Sequence, residues 1–456
     1  MESLIGDKKF YRMVLIVCIP IVIQNGFTNL ASLLDNIMIG QLGTLSMSGV
    51  SISNQLFQVF NVSVFGAMSG AGIFLAQFYG RGNRDGVHHC FRIKMLLGLL
   101  ISILAICIFK ILGPSLISLY LNDDSTDSMT TLNFGKQYMN VMLIGLIPFA
   151  ITQVFSSSLR ETGNTVLPMK ASVIAVIVNF CINYILIFGH FGFPKLGVIG
   201  AAIGTVVSRI VEMGINIAAG LNNNYLRDAM RLDKISGDIF KNVVKRGMPL
   251  LCNEILWSIS IALISQCYST RGLSAVAAIN VTTTVTNFFM IICYAMGNSI
   301  SIIVGQRLGA GEIEYAKDCD LKMVFMNFMM CLCIGVALFL CSSFIPQIYN
   351  TSIEVKSLAT SLLRVSACVL PIISLYYSSY FTMRAGGKTL LTFFFDSGYT
   401  FIFTFTFMVA LCLTRFTNLP IFYVYLLVQC VDIPKAVLGI TLVKKGIWVH
   451  NIVNGL

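Results

Sequence analysis

The chain alternates long apolar runs with short polar connections, and the length of the runs is that of membrane-crossing helices rather than of strands or amphipathic surface helices. Apolar stretches lie near residues 13–40, 47–76, 93–113, 136–158, 166–189 and 198–220, and again near 248–269, 276–305, 323–348, 357–382, 390–413 and 418–441. Each reaches the roughly 20 residues that carry an α-helix across a hydrocarbon core. A polar, partly amphipathic connection from Asn222 to Arg246 separates the two sets of six. Alternating ten-residue strands are absent, and in lipid only helices and closed barrels satisfy their own backbone groups. The pattern predicts an all-α integral membrane protein of about twelve transmembrane helices. It divides into an N-terminal lobe over 1–221, a cytoplasmic connecting segment over 222–246 and a C-terminal lobe over 247–456.

Composition excludes a soluble globular protein: 56% of the 456 residues are hydrophobic, 11% are charged, and the mean hydropathy is +0.82. If the loops are assigned to alternating sides, 22 of the 31 Lys and Arg fall on the side of the N-terminus and five on the other, with four inside spans. Asp123, Asp124 and Asp127 join that poorer side. The positive-inside rule then puts both termini in the cytoplasm of a multi-pass cell-membrane protein and supports an even helix count. Basic cytoplasmic loops facing anionic lipid account for the net charge of +11, so no nucleic-acid partner is implied. The first run, Met13–Ile23, has the length of a signal sequence but continues past Asp35, which predicts a retained helix. Fourteen Cys show no CxxC pair and four His no HExxH, so no metal site, cofactor or disulfide framework is indicated. The cysteines read as buried small apolar residues.

The two sets of helices are copies of each other. At an offset of 229 residues Pro20 meets Pro249, Gly43 meets Gly272, Gln77 meets Gln306, Gly80 meets Gly309 and Gly82 meets Gly311. At a slightly smaller offset Pro148 meets Pro371, and RETGNT from Arg160 meets RAGGKT from Arg384. An even number of helices per copy gives both halves the same topology, which predicts a pseudo-two-fold axis along the membrane normal. Transporters built this way hold substrate between the halves and alternate its access.

The runs LLDNIMIGQLG, AQFYGRGN, VGQRLGAG, LRETGNT, MRAGGKT, VNFCINYILIFG, GVIGAAIGTVVSR and KKGIWVHN, in this order and spacing, resemble the multidrug and toxic compound extrusion (MATE) family over nearly the whole chain. The resemblance implies a V-shaped pair of six-helix lobes and export of small organic compounds in exchange for a proton or sodium.

Intramembrane charges are few and therefore informative, because an ionisable group at bilayer depth usually marks an ion or substrate path. Asp35 lies deep in the first helix with no basic residue near it in sequence. A protonated carboxyl is cheaper there than a carboxylate, which makes Asp35 a candidate proton carrier. The resemblance implies that Asn179 and Asn183 of the fifth helix and Thr205 of the sixth complete its ion-coupling site. Asn183 stands where the family pattern often has Asp, so the site carries one carboxylate. Oxygen ligands for sodium remain, but proton coupling is the simpler reading. Asn and Thr also serve plain interhelical hydrogen bonding. Glu254, five residues after Pro249, and Asp396, isolated within LLTFFFDSGYT, are further substrate or coupling candidates, with helix packing as the alternative for each. Arg209 with Glu212, and Asp432 with Lys435, are spaced to neutralise each other on one helix face. Arg364 has no partner nearby in sequence. Pro20 removes a helix hydrogen bond about four turns from Asp35 and is the expected hinge.

Together these features predict a monomeric antiporter in the lipid bilayer, exporting small amphipathic, often cationic, organic molecules. A lipid-linked oligosaccharide flippase of the same superfamily is the alternative, and would be expected to carry a more cationic cavity. An intramembrane enzyme is excluded for want of a paired-Asp, HExxH or Ser/His constellation.

Overall fold

The computed structural model describes residues 4–121, 126–231, 234–349, 351–402, 405–454 and 456; Asp123 and Asp124 lie outside them. Every regular element among them is helical. Among the described residues eleven helices are long and apolar enough to cross a membrane: α1 Lys8–Gly40, α2 Thr44–Arg81, α3 Arg84–Ser118, α4 Thr126–Glu161, α5 Val166–Phe188, α6 Val198–Leu221, α7 Gly237–Ser269, α8 Leu273–Gly309, α9 Ile313–Cys341, α10 Ile353–Ala385 and α12 Ile421–Lys444. The stretch 390–413 is not one α-helix. It comprises Thr389–Phe393, a π-helical segment Phe394–Ile402 and Phe405–Phe416, together called α11, with 403–404 outside the described residues. The chain is thus a multi-pass membrane protein. Ile111, Leu119 and Leu273, each more than 70% exposed, lie on a surface that only lipid would solvate.

The helices outrun the apolar stretches. Helix α7 begins at Gly237, so nearly half of the expected 222–246 connection is helical; a 3-10 turn, Asp228–Met230, forms part of the remainder. Helix α3 extends a further nine residues at its start, so Lys94, at the edge of the expected 93–113 stretch, lies well inside the helix. Counted above as a loop cation, it is fully buried in α3. Arg384, likewise counted with the loops, is 6% exposed at the end of α10. Hydropathy cannot see helical turns whose polar residues are paired inside the protein.

The prolines act differently in the two copies. Helix α1 is continuous through Pro20 and α10 through Pro371. In α4 a 3-10 turn, Leu143–Gly145, immediately precedes the turn holding Pro148, where the missing N–H frees the carbonyl four residues back.

The glycine motifs end helices the same way in each copy. Asn83 N–H donates to Phe78 O and Gly82 N–H to Tyr79 O, both at 3.0 Å; Glu312 donates to Arg307 O at 3.0 Å and Gly311 to Leu308 O at 3.1 Å. Gly82 and Gly311 have φ of +75° and +81°, the left-handed turn that a Schellman cap requires. Gly80 and Gly309 serve close approach instead. A Cβ on Gly80 would overlap the Gln306 carbonyl, and one on Gly309 the Gln77 carbonyl. Residues 229 apart exchange roles in this contact, as a local two-fold demands.

By contact the chain forms two compact units. One comprises Ile23–Leu75 and Arg84–Val244; the other comprises Met1–Val22, Ala76–Asn83 and Lys245–Leu456. The boundary in α1 falls between Val22 and Ile23, beside Pro20. In the second unit Phe10, Val14, Cys18 and Ile21 pack in one apolar cluster with Met296 and Ile300 of α8 and with Trp448. Six cysteines are buried, but seven, including Cys107 and Cys333, face outward, where lipid makes an apolar thiol as acceptable as a core does.

Candidate functional site

In the unit built on Ile23–Leu75 and Arg84–Val244, polar stripes from five helices converge on a cavity of about 520 Å³. Helix α1 contributes Thr28, Ser32, Asp35 and Asn36; α2 contributes Ser51, Asn54, Gln55 and Gln58; α6 contributes Thr205, Ser208, Arg209 and Glu212. Spacings of three, four and seven put each set on one helix face. Tyr138 of α4 and Asn179 of α5 close the lining.

The four residues proposed for ion coupling meet here. Asn183 Nδ2 donates to Asp35 Oδ1 at 2.6 Å and to Asn179 Oδ1 at 3.2 Å. Asn179 Nδ2 donates to Thr205 Oγ1 at 3.4 Å, and Thr205 donates to Ala201 O at 3.1 Å. Packing sets this register. Gly200 and Gly204 of α6 form a GxxxG face: Cβ atoms there would overlap the backbone of Leu186 and the Asn183 amide oxygen. Two helices in lipid approach this closely only where side chains are absent. Asn183 is consequently fully buried and Asn179 is 6% exposed, whereas Asp35 is half-buried at the cavity wall.

A second chain of hydrogen bonds runs beside the first. Arg160 Nη1 donates to Gln24 Oε1 at 3.2 Å, Gln24 Nε2 to Ser172 Oγ at 2.9 Å, and Ser172 Oγ to Glu212 Oε1 at 2.5 Å. The expected Arg209–Glu212 pair is therefore not made, since Ser172 of the neighbouring helix takes Glu212. The Arg209 guanidinium lies over the Phe149 ring at 4.8 Å.

Glu254 and Asp396 belong to the other unit and share one network there. Tyr380 Oη donates to Glu254 Oε1 at 2.9 Å. Asn253 Nδ2 donates to Asp396 Oδ2 at 3.0 Å and to Tyr380 Oη at 3.4 Å. Asp396 is not isolated: Lys435 Nζ lies 2.8 Å from its Oδ1, and the same ammonium stands over Tyr376, Phe395 and Tyr399 at 4.5, 5.8 and 5.9 Å. Lys435 thus pairs across helices with Asp396 rather than along α12 with Asp432. Asp396 falls in the π-helical segment, whose wider turn is a frequent companion of functional positions. Arg364 donates to Ser343 Oγ at 3.0 Å and Ser342 Oγ at 3.4 Å, which supplies the partners its own helix lacks.

Two buried charges were given no site role in the sequence reading. Lys94 Nζ meets Glu161 Oε2 at 2.5 Å and Ser157 Oγ at 2.9 Å. Asp320 of α9 is fully buried and accepts from Thr382 Oγ1 at 2.6 Å. Ala316, Cys319, Asp320, Met323, Val324 and Asn327 form one buried face. That helical period was the available signal, obscured by the neighbouring Asp318 and Lys322 of an apparent loop.

Comparison with known proteins adds an independent line. The MatE family model matches residues 20–185 and 249–407. A probable multidrug resistance protein NorM of Thermotoga maritima is 26% identical over 377 residues, 82% of this chain and 79% of its own. Among solved structures, a multidrug resistance MATE family transporter of the MOP superfamily in an outward-facing conformation superposes with a TM-score of 0.87 at 19% identity, covering 97% of each chain. A mutant of the Vibrio cholerae MATE transporter VcmN superposes at 0.86 with 17% identity over 96% of this chain and 97% of its own.

Proposed function

The chain belongs to the MatE family, and on that premise we propose that it is a cation-coupled antiporter that exports small amphipathic organic compounds across the cell membrane. The coupling ion is a proton carried by Asp35. Relatives named as multidrug resistance proteins support the substrate class. One observation carries the mechanism: the Asp35 carboxylate is held by Asn183 and at the same time faces a polar cavity, so ion and substrate act on a single group.

Coupling then needs no further device. A proton on Asp35 removes the charge that attracts a cationic ligand centre, and a bound cationic centre opposes protonation. Exchange follows if the ion and the ligand favour different access states. The donor set favours a proton over sodium. Asn183 turns its NH₂ toward Asp35 and the Asn179 oxygen already accepts from Asn183, so of the two amide oxygens only Asn183 Oδ1 is without a partner beside the single carboxylate. Helices α1 and α10 containing Pro20 and Pro371 are the elements expected to bend between states. The distribution of Lys and Arg supports cytoplasmic termini. Two carboxylates, Asp35 and Glu212, against one guanidinium, Arg209, line the cavity, which argues against a flippase for an anionic lipid-linked sugar.

The test is ethidium movement in proteoliposomes under an imposed pH gradient, beside a sodium gradient of equal size and Asp35→Asn protein. Movement driven by the pH gradient and lost in the variant is expected. Movement driven by sodium alone would transfer the coupling role to sodium at Asp35, Asn179, Asn183 and Thr205. No movement under either gradient would overturn the antiport reading.

A further inference from the structure

Among the described residues Arg209 is the charged side chain of the cavity wall that makes no hydrogen bond or ion pair, although the carboxylates of Asp35 and Glu212 line the same cavity. It sits on α6 between Ser208 and the Glu212 turn, and all three of these residues line the cavity. Glu212 accepts from Ser172 at 2.5 Å, and Asp35 accepts from Asn183 at 2.6 Å. Tyr138, which also lines the cavity, donates its hydroxyl to Asn54 Oδ1 at 3.2 Å. Among the described residues Arg209 makes no ion pair and no hydrogen bond, and its Nη1 is enclosed without an acceptor. Its one contact of note is with the Phe149 face at 4.8 Å. That contact is with a ring and supplies no acceptor, and the side chain lines the cavity. A guanidinium carries five N–H donors in a fork shaped for carboxylates and related oxyanions. The enclosed Nη1 of Arg209 has lost water without gaining an acceptor, unless the ligand brings one.

We propose that Arg209 receives the anionic group of the transported compound, so that the cavity selects zwitterionic organic molecules, with the cationic centre at Asp35 and a carboxylate or similar oxyanion at Arg209. This rests on the cavity being the substrate site. It keeps the exchange logic intact, because the cationic centre still competes with the proton for Asp35 while the anionic group adds affinity and orientation at a separate point. It also accounts for the hydroxyls and amides of the lining. Gln55 and Gln58 on α2 can pair with the polar middle of such a ligand, which a simple lipophilic cation would not offer them.

The experiment uses two fluorescent dyes that differ by one carboxylate: rhodamine 110, a zwitterion, and its methyl ester rhodamine 123, a cation. Equilibrium binding of each to the purified full-length protein is measured without any ion gradient, and the ratio of the two dissociation constants is the readout. The native protein is expected to bind the acid more tightly than the ester. Arg209→Gln should shift the ratio against the acid by about tenfold or more, the scale of a lost charge-assisted pair. Arg209→Lys, which keeps the charge, should recover most of the shift. A native preference for the ester, or a ratio unchanged in Arg209→Gln whether both dyes bind or both are weakened, would overturn the proposal. An unchanged ratio beside intact gradient-driven ethidium export would sink this inference alone. A shifted ratio without gradient-driven export would instead sink the antiport reading and leave the anion site standing.

Discussion

Neutralising Lys435 should destabilise the protein far more than neutralising Lys435 and Asp396 together. The ammonium and carboxylate are 2.8 Å apart, and their side chains are 4% and 14% exposed. Lys435→Met leaves Asp396 with Asn253 as its remaining donor in a site that water barely reaches. Breaking a buried pair from one side costs about 3–5 kcal/mol, most of it the desolvated charge left behind. Asp396→Asn strands the ammonium, although Tyr376, Phe395 and Tyr399 around it return part of the loss, so the low end of that range applies. The double variant Asp396→Asn with Lys435→Met strands neither charge and should lie within ~1 kcal/mol of the native protein. For a chain of this length the single variants should lower the apparent melting midpoint in detergent by about 5 °C. The double variant should recover most of that loss. Asp432→Asn is the control: it is the partner suggested by spacing along α12, makes no direct ion pair with Lys435, and should couple to it more weakly than Asp396 does. Additive losses in the double variant would refute the pairing, as would rescue of Lys435→Met by Asp432→Asn in place of Asp396→Asn.

Other positions give sharper local tests. Gly204→Ala puts a methyl against the Asn183 amide oxygen and should displace the donor that holds Asp35, cutting pH-driven transport at least tenfold while the protein still elutes as a monodisperse species; normal transport would show the α5–α6 contact to be softer than described. Gly80→Ala and Gly309→Ala should each cost about 1–3 kcal/mol, because the neighbour that must yield is a carbonyl of the opposing helix. Together they should cost less than their sum, since both open one crossing, and full additivity in thermal denaturation would count against the reciprocal contact. Thr382→Val removes the hydroxyl that donates to Asp320 without changing the side-chain shape. It should lower stability by about 1–3 kcal/mol, a loss that Asp320→Asn in the same background should partly restore; no change in melting would place the hydroxyl elsewhere.

The sequence by itself determined whatever is written in one dimension. Hydropathy dictated membrane helices and their order, since a bilayer-crossing segment must satisfy its backbone internally and so announces itself as a continuous apolar run. The 229-residue repeat carried the paired helix-ending turns, because a left-handed cap needs glycine at one fixed place. The Asp35, Asn179, Asn183 and Thr205 cluster was legible through resemblance, and a carboxylate at bilayer depth stood out on its own. Tertiary structure alone decided the partners. Glu212 went to Ser172 and Lys435 to Asp396, against the spacing along their own helices, because a long side chain at an interface between helices lies nearer to the next helix than to its own next turn. Lys94 and Arg384 read as loop cations for a related reason: each stands at the edge of an apolar stretch, and hydropathy scores a buried charge as though it were in water. The cavity stayed hidden because its wall is assembled one stripe from each of several helices, and only their packing shows that the stripes of α1, α2 and α6 face one another.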